Sequence, residues 1–244
     1  MSHLVIDIGN SRTKVAVFDD QKLIKNEVVE HLSLELLADY LKDSTIQQSV
    51  ISSVKDEVKD LEKLLDAQTE YVRFSASLKN GLINEYKTPE TLGLDRLAGV
   101  IGARVLFPGK NCLVIDMGTC ITYDAIDKKG TYRGGSISPG LNMRLRAMRE
   151  FTGRLPLIEL ADYGRLDGDD TKTSMLSGVV NGTYSEIIGF IEQYKAQYSE
   201  LQVILCGGDA NFFDTRLKNS IFAHTLKTEP DLVLIGLNEV INQQ

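Results

Sequence analysis

A thirteen-residue pattern occurs twice in this chain of 244 residues and limits the folds that the chain can adopt. Residues 4–16 read LVIDIGNSRTKVA and residues 113–125 read LVIDMGTCITYDA, so the two segments align without gaps at an offset of 109. Each segment has an apolar strand pattern, an Asp, a turn containing Gly and a second strand pattern. We therefore predict two lobes of similar architecture, residues 1–110 and 111–244, rather than two unrelated hairpins.

The remaining hydrophobic pattern alternates between short strands and amphipathic helices, which favours an α/β fold with mixed sheets. In the first lobe the pattern predicts strands at Leu4–Ile8, Thr13–Phe18, Leu23–Val29, Ser49–Val54 and Tyr71–Phe74, a loop at Lys79–Thr91 and a helix at Asp95–Phe107. In the second lobe it predicts strands at Cys112–Ile115, Thr119–Ile126, Thr131–Ile137 and Leu201–Leu205, and helices at Pro139–Phe151, Thr171–Tyr194 and Asp231–Ile241.

Composition excludes several classes of function. The net charge of −7 provides no basic field for nucleic acid or an anionic membrane surface. No apolar run is long enough to span a bilayer, and the N-terminus lacks a signal-peptide pattern. Cys112, Cys120 and Cys206 lie in apolar strand contexts, as is typical of reduced core cysteines in a cytosolic protein. We therefore expect a cytoplasmic protein without nucleic-acid or membrane partners.

The first candidate site is the turn Asp7–Lys14, which follows the first strand. A turn with Gly9 lets backbone N–H groups approach phosphate oxygens, and the neighbouring polar side chains add donors. Asp7 cannot bind phosphate directly because both are negatively charged, so we expect its carboxylate to be a ligand of Mg²⁺ or of the water molecules around it. The alternative is that Asp7 only caps the turn. Asp116 and Thr119 repeat the arrangement in the second lobe, where a carboxylate for a cation again precedes a hydroxyl donor. Neither turn matches a Walker A loop or a dinucleotide-binding fingerprint.

A second candidate site, Gly93-Leu94-Asp95-Arg96, lies at the predicted start of a helix. Asp95 could accept a proton from a hydroxyl nucleophile, and the planar guanidinium of Arg96 could bind a substrate carboxylate. The alternative is an Asp favoured by the helix dipole beside a solvated Arg. The segment Gly134–Gly140 leads from a strand into a helix whose N-terminus would suit an anion. The segment Gly207-Gly208-Asp209 could pack against adenine or ribose. For both segments the alternative is an ordinary turn without a ligand.

Together these motifs resemble the type III pantothenate kinases, within the superfamily of acetate kinases, sugar kinases, Hsp70 and actin. The resemblance covers nearly the whole chain in the same order, and its most specific part is Gly93-Leu94-Asp95-Arg96, preceded by Tyr86, between the two Asp-Gly turns. It implies two duplicated RNase H-like (actin-like ATPase) lobes, each a mixed β-sheet flanked by helices, with the nucleotide cleft between them and a dimerisation helix in the second.

The resemblance also implies an activity: ATP-dependent phosphorylation of pantothenate to 4'-phosphopantothenate, the first step of coenzyme A biosynthesis. Asp95 would be the general base, and Thr171 would reach pantothenate from a dimer partner. The other implied contacts are Tyr86, Gly93, Leu94 and Arg96 for pantothenate, Asp7, Ile8, Gly9, Asn10, Ser11, Arg12, Thr13, Lys14 and Thr119 for ATP, Asp7 for Mg²⁺, and Asp116 for K⁺ or NH₄⁺. Ser11, Leu94 and Asp170 stand where the family more commonly has Thr, Ala and Asn.

Two other functions stay open at this point. A non-enzymatic nucleotide-binding regulator, such as a transcriptional accessory factor, would need Asp7 and Asp116 but not Asp95 and Arg96. A kinase for another small hydroxy acid is the second alternative. The helix Thr171–Tyr194 carries apolar residues on more than one face, among them Ile187 and Ile191, so we predict a homodimer that buries this helix.

Overall fold

The computed structural model describes residues 1–10, 12–42, 45–53 and 58–244. Eleven strands are seen in these ranges: β1 Ser2–Ile8, β2 Thr13–Asp19, β3 Lys22–Val29, β4 Ile46–Ser53, β5 Glu70–Arg73, β6 Ile83–Asn84, β7 Asn111–Met117, β8 Cys120–Ile126, β9 Thr131–Pro139, β10 Leu201–Cys206 and β11 Leu226–Thr228. The α-helices described there are α1 Leu34–Leu41, α2 Lys59–Gln68, α3 Leu94–Leu106, α4 Leu141–Glu150, α5 Thr171–Gln197, α6 Ala210–Lys218 and α7 Leu232–Asn242. Short 3₁₀ turns follow Thr88 and Phe222.

The chain forms two compact units. The first contains residues 1–109, 128–134 and 231–244, and the second contains residues 110–127 and 135–230. The C-terminal helix α7 is part of the first unit because it packs along α3 and against β1. The predicted lobe boundary at residue 110 stays a prediction.

The first unit is built on a five-stranded sheet in the order β3-β2-β1-β4-β5. β1, β2 and β3 are antiparallel neighbours, whereas β4 runs parallel to β1 and β5 runs parallel to β4. Leu4, Ile6 and Ile8 face a core that includes Leu37 of α1 and Leu65 of α2. Because side chains alternate along a strand, the odd-numbered residues of β1 face the other side, where His3 hydrogen-bonds Asn238 of α7 at 2.8 Å. Asp7 therefore lies on the α7 face of the sheet.

Two glycines bring the backbones of α3 and α7 into contact in this layer. A Cβ on Gly236 would lie 1.9 Å from the carbonyl oxygen of Ala98, and one on Gly102 would lie 2.3 Å from that of Leu232. Any larger residue would push the helices apart, so the α3–α7 crossing holds the N-terminal end of α3 in a fixed place relative to the sheet.

The second unit is built around β7, β8, β10 and β11, within a sheet whose order is β11-β10-β7-β8-β9-β6. β10 runs parallel to β7 and β11, and β7 and β8 form an antiparallel hairpin. The core packs side chains of this sheet against α4, α5 and α6. Its fully buried members include Ile115, Tyr123, Ile187, Val203 and Phe213. Within the ranges that the structure describes, no helix has the length and apolar character needed to cross a membrane.

Several elements differ from the sequence-based predictions, and the strand β11 was not predicted. Pro139 does not open a helix but ends β9, because Gly140 is still extended, with φ −70° and ψ 171°, and α4 starts at Leu141. The loop predicted at Lys79–Thr91 contains β6, which pairs with the start of β9. The helix α6 was missed because only Ala210, Phe213 and Leu217 mark its buried stripe.

Candidate active site

Both repeated Asp-Gly segments form β-hairpins, and the hairpins differ in turn length. In the first, Ile8 pairs with Thr13, and the Gly9 N–H donates to the Arg12 carbonyl at 3.1 Å. In the second, Met117 pairs with Ile121, and the Gly118 N–H donates to the Cys120 carbonyl at 2.9 Å. The first turn is one residue longer, so Asp7 lies opposite Lys14. The ungapped sequence repeat therefore contains a one-residue difference in hairpin register, which places Asp116 opposite Thr122.

The first hairpin turn presents a polar edge to its surroundings. Asn10 and Arg12 are exposed, Gly9 and Lys14 are half-buried, and Ser11 lies outside the described residues. Ile8 and Thr13 are buried at the base of the turn, so their part in binding would have to come from the backbone. The structure thus places the described members of the predicted phosphate-binding set, residues 7–10 and 12–14, together at one end of the β1–β2 hairpin.

Ser52 of β4 lies beside Asp7 in the parallel register. Its hydroxyl group is buried, with the residue 1% exposed, and has no hydrogen-bond partner among the described residues. A buried hydroxyl normally has a partner, so this one is available to a water, an ion shell or the neighbouring carboxylate. Sequence reasoning missed Ser52 because its significance comes from its register with Asp7.

In the second unit, two backbone segments pack against Asp116 and the turn that follows it. Gly207, at φ +88°, follows β10, and a Cβ there would lie 2.4 Å from the Asp116 carboxylate oxygen Oδ1. The Asp209 N–H donates to the Met117 carbonyl at 2.8 Å, and the Gly140 N–H donates to the Thr119 carbonyl at 3.1 Å. Gly207 therefore lies against the half-buried Asp116, and Gly140 lies against the Gly118-Thr119 turn, where Thr119 is exposed. We call these two glycines the glycine cradle. Glycines at strand ends were the only sequence signal for this arrangement.

The motif Gly93-Leu94-Asp95-Arg96 forms the first turn of α3, with Gly93 as the residue before the helix. The Asp95 Oδ1 accepts a hydrogen bond from the Arg96 backbone N–H at 2.8 Å, which fixes the carboxylate at the helix start. A Cβ on Gly93 would lie 2.7 Å from that same oxygen, so a side chain at this position would displace the carboxylate. Gly93 and Leu94 are half-buried, and Asp95 is exposed and therefore accessible to an incoming hydroxyl.

Arg96 differs from Asp95 in being buried, with only 8% of the residue exposed. Its guanidinium carbon lies 5.8 Å from the centre of the Tyr86 ring, within the range of a cation–π contact. Tyr86 in turn stacks on Tyr132 with ring centres 6.2 Å apart. Gly134, at φ +108°, makes room for this ring, because a Cβ there would lie 2.9 Å from two Tyr86 ring carbons. The structure thus brings together Tyr86 and Arg96, both of which the resemblance implied as pantothenate contacts, and it places Gly134 and Tyr132 beside them.

Thr171 is the first residue of α5 and is exposed. Asp170 caps this helix: its Oδ1 accepts from the Thr173 N–H at 2.7 Å, and the Thr173 hydroxyl oxygen accepts from the Asp170 N–H at 3.0 Å. These hydrogen bonds hold the pKa of Asp170 below its usual value. Asp170 therefore performs the capping that Asn would also perform, and the presentation of Thr171 does not depend on which of the two is present.

The described residues contain no group of three or more His, Cys, Asp or Glu side chains that could hold a metal by themselves. Asp7 and Asp116 each offer one carboxylate in a separate turn. Such a donor set fits ions that take few protein ligands and complete their shells with water and phosphate oxygens, as Mg²⁺ does in phosphoryl-transfer sites. The unpartnered hydroxyl of Ser52 beside Asp7 is compatible with the same arrangement.

Solved structures with similar folds support the predicted fold class. A Campylobacter jejuni protein, provisionally described as a Baf family transcriptional activator, superposes with a TM-score of 0.60 at 21% identity and 98% coverage of both chains. A Listeria monocytogenes protein, provisionally described as an N-acetylmannosamine kinase, gives a TM-score of 0.57 at 13% identity and covers 100% of this chain and 99% of its own. At these identities the likeness concerns the fold, and it confirms the predicted pair of RNase H-like lobes.

Sequence comparisons are more specific. Residues 3–193 match the family model described as type III pantothenate kinase. A protein from Bacteroides fragilis strain YCH46 with that name is 44% identical, over 98% of this chain and 97% of its own. A protein of the same name from Christiangramia forsetii is 39% identical with the same coverage. The chain belongs to the type III pantothenate kinase family.

Proposed function

We propose that this protein transfers the γ-phosphoryl group of ATP to the hydroxyl group of pantothenate, giving 4'-phosphopantothenate and ADP as the first step of coenzyme A synthesis. The observation that carries this proposal is the arrangement at the start of α3. There an accessible carboxylate, Asp95, adjoins a buried guanidinium, Arg96, that packs against Tyr86. Pantothenate has both groups that such a pair would recognise, an alcohol and a distal carboxylate. The names of the relatives support the same substrate.

ATP would bind with its phosphates at the turn Asp7–Lys14 and with a contact from Thr119. Backbone N–H groups and neutral donors suit phosphate oxygens, and Lys14 adds a positive charge. Asp7 would hold Mg²⁺, with Ser52 beside it, and Asp116 would hold K⁺ or NH₄⁺ within the glycine cradle. When bound, these cations supply neutralisation of phosphate charge, which is the main requirement of phosphoryl transfer.

Asp95 would act on the acceptor. Its carboxylate takes the proton of the pantothenate hydroxyl as that oxygen forms a bond to the γ-phosphorus and the bond from this phosphorus to the β–γ bridging oxygen breaks. Arg96 would bind the pantothenate carboxylate with its planar fork, and Tyr86 would hold the guanidinium in orientation. The residues of this chain thus orient the acceptor and accept its proton.

A homodimer is part of the proposal, with Thr171 reaching the partner's acceptor site. The surface of α5 that fits a second helix is a stripe of small residues at helical spacing: Ser174, Gly178, Gly182, Ser185 and Gly189. A Cβ at each of the three glycines would meet no other atom within 4 Å. Small residues let two helix backbones approach closely, so a symmetric pairing along this stripe would bury it.

A panel of small alcohols tests the substrate assignment. The full chain is incubated with ATP, Mg²⁺ and K⁺, and ADP release is followed with pantothenate, other hydroxy acids and sugars as acceptors. Pantothenate should be the preferred acceptor, and substitution of Na⁺ for K⁺ should depress the rate. Equal use of another hydroxy acid would overturn the substrate assignment, and ATP binding without transfer to any acceptor would favour a non-enzymatic regulator.

A further inference from the structure

Three elements of the second unit donate hydrogen bonds to one carboxylate in the middle of α5. The Glu186 Oε1 accepts from the Tyr123 hydroxyl of β8 at 2.8 Å and from the Ser138 hydroxyl of β9 at 2.5 Å. The Glu186 Oε2 accepts from Nη2 of Arg144, on α4, at 2.5 Å. The Tyr123 ring also stacks on Phe190 of α5, with ring centres 4.0 Å apart. Glu186 therefore joins β8, β9 and α4 to α5.

This network is too enclosed to be an ordinary surface ion pair. The Glu186 side chain is 24% exposed and the Arg144 side chain 21%. Burial opposes ionisation of Glu186, yet the hydrogen bonds from Ser138, Arg144 and Tyr123 outweigh it and lower its pKa. A pair desolvated to this extent contributes little net stability compared with well-packed apolar side chains, so its distinctive effect is to fix geometry.

The network fixes the junction of β9 and α4, residues 138–140. Ser138 is one of its members, and Arg144 Nε donates to the Pro139 carbonyl at 2.8 Å. The next residue, Gly140, donates its N–H to the Thr119 carbonyl at 3.1 Å. A Cβ on Gly140 would lie 2.4 Å from the Gly118 carbonyl oxygen and 2.5 Å from that of Thr119. These residues thus pack directly against the Gly118-Thr119 turn that follows Asp116.

We propose that Glu186 is a positioning residue for nucleotide binding: through Ser138, Arg144 and Gly140 it holds the Gly118-Thr119 turn in the conformation that receives ATP. This inference rests on the proposed function, because it takes Thr119 as an ATP contact, and it adds a residue that does not touch the nucleotide. Acceptor binding at Tyr86 and Arg96 uses none of these contacts.

Glu186→Gln tests the link. Gln can still accept hydrogen bonds from Tyr123 and Ser138. Its Nε2–H group, however, would face the N–H donor of Arg144, so the hydrogen bond and the ion pair with Arg144 are lost. The KM for ATP and the dissociation constant for ATP measured by calorimetry should each rise by about 10- to 100-fold, the range that loss of a supporting partner costs a metal ligand. The KM for pantothenate should change by less than about twofold. The matched control is Asp214→Asn, because Asp214 is 22% exposed and also accepts from a hydroxyl and a cation, Thr228 and Lys218.

A second variant keeps the test decisive if Glu186→Gln folds poorly. Ser138→Ala removes the hydrogen bond to Glu186 and the longer one that Ser138 accepts from Arg144 Nη2 at 3.3 Å, and it leaves the ion pair. It should raise the dissociation constant for ATP by about tenfold, the effect of one hydrogen bond to a charged group. Unchanged ATP affinity in both folded variants would overturn the proposal, as would equal losses for ATP and pantothenate. If wild-type protein does not phosphorylate pantothenate, the proposed function fails, while the comparison of ATP affinities still tests Glu186.

Discussion

At the scale of single residues, Asp95 and Arg96 are neighbours in sequence with opposite surroundings. Arg96 is buried against Tyr86, whereas Asp95 is exposed at the start of α3. This difference favours separate roles, because a buried guanidinium has a fixed orientation for binding and an accessible carboxylate can meet a reacting hydroxyl. The sequence motif predicted both residues but could not assign their burial, which depends on Tyr86 and Gly134.

Arg96→Lys should raise the KM for pantothenate by about 10- to 100-fold, the equivalent of one charge-assisted hydrogen bond of ~1.5–3 kcal/mol. Lys keeps the charge but loses the planar fork and the stacking on Tyr86. The KM for ATP should stay nearly constant, and a pantothenate analogue lacking the carboxylate should discriminate little between the two enzymes. Arg133→Lys, at an exposed position paired with Glu85, is the control. A rise in the KM for ATP alone would show that Arg96 contacts ATP rather than pantothenate.

Gly134→Ala should weaken pantothenate binding by displacing the Tyr86 ring. The added Cβ would lie 2.9 Å from that ring, and the backbone has φ +108°, where a non-glycine residue is strained by about 1–3 kcal/mol. Steady-state kinetics should show a higher KM for pantothenate, together with a lower thermal midpoint. Gly153→Ala, where a Cβ meets nothing within 4 Å, serves as the control and should change neither value. A normal KM in Gly134→Ala would remove Tyr86 from the acceptor site.

At the scale of elements, α5 corrects one expectation from the sequence. Ile187 and Ile191 were expected on a dimer surface, but both are fully buried in the core of their own unit. A charge at either position would destabilise that core rather than report on association. The apolar periodicity of a helix cannot distinguish burial in its own lobe from burial against a partner, because both remove the same side chains from water.

The exposed stripe of α5 gives the sharper test of the dimer. Gly178→Leu combined with Gly182→Leu places bulk where close helix approach requires small residues. Light scattering should then shift from about twice the 27.1 kDa chain mass toward the monomer, with a parallel loss of kinase activity. Ala196→Leu, exposed near the end of the same helix, should leave both unchanged. A dimer that tolerates both glycine replacements would place the interface elsewhere.

The ion pair of α5 and α4 predicts a pH dependence of stability. The pKa of Glu186 is lowered in the folded protein from an ordinary value of 4.5, so ionised Glu186 contributes fully to the free energy of unfolding above pH 4.5. The contribution is lost as the pH falls through the lowered pKa. Wild-type protein should therefore unfold at a higher temperature than Glu186→Gln at pH 7, and the difference should shrink as the pH falls below 4.5. A difference independent of pH would mean that Glu186 acts without its charge.

At the scale of the whole molecule, local patterns predicted the two Asp-Gly hairpins, most strands and the α/β class, because apolar alternation and Gly-containing turns are encoded within a few residues. The glycine cradle was not predictable, since Gly207 reaches Asp116, and Gly140 reaches the Gly118-Thr119 turn, from distant positions in the chain. The same holds for Glu186 and for the register that places Ser52 beside Asp7. Contacts between distant segments leave no local periodicity, so sequence reasoning proposed candidate reacting residues but not the residues that would position them.

We propose that this chain phosphorylates pantothenate with Asp95 as the proton acceptor. The most direct test compares wild type with Asp95→Asn, with 4'-phosphopantothenate detected by mass spectrometry and ATP binding measured by calorimetry. Asn can still accept the Arg96 N–H that Asp95 accepts at 2.8 Å, so the start of α3 should persist without the base. We predict product from wild type, a turnover about 10²–10⁴-fold lower in the variant, and unchanged ATP affinity. Near-wild-type turnover of Asp95→Asn would show that Asp95 is not the general base.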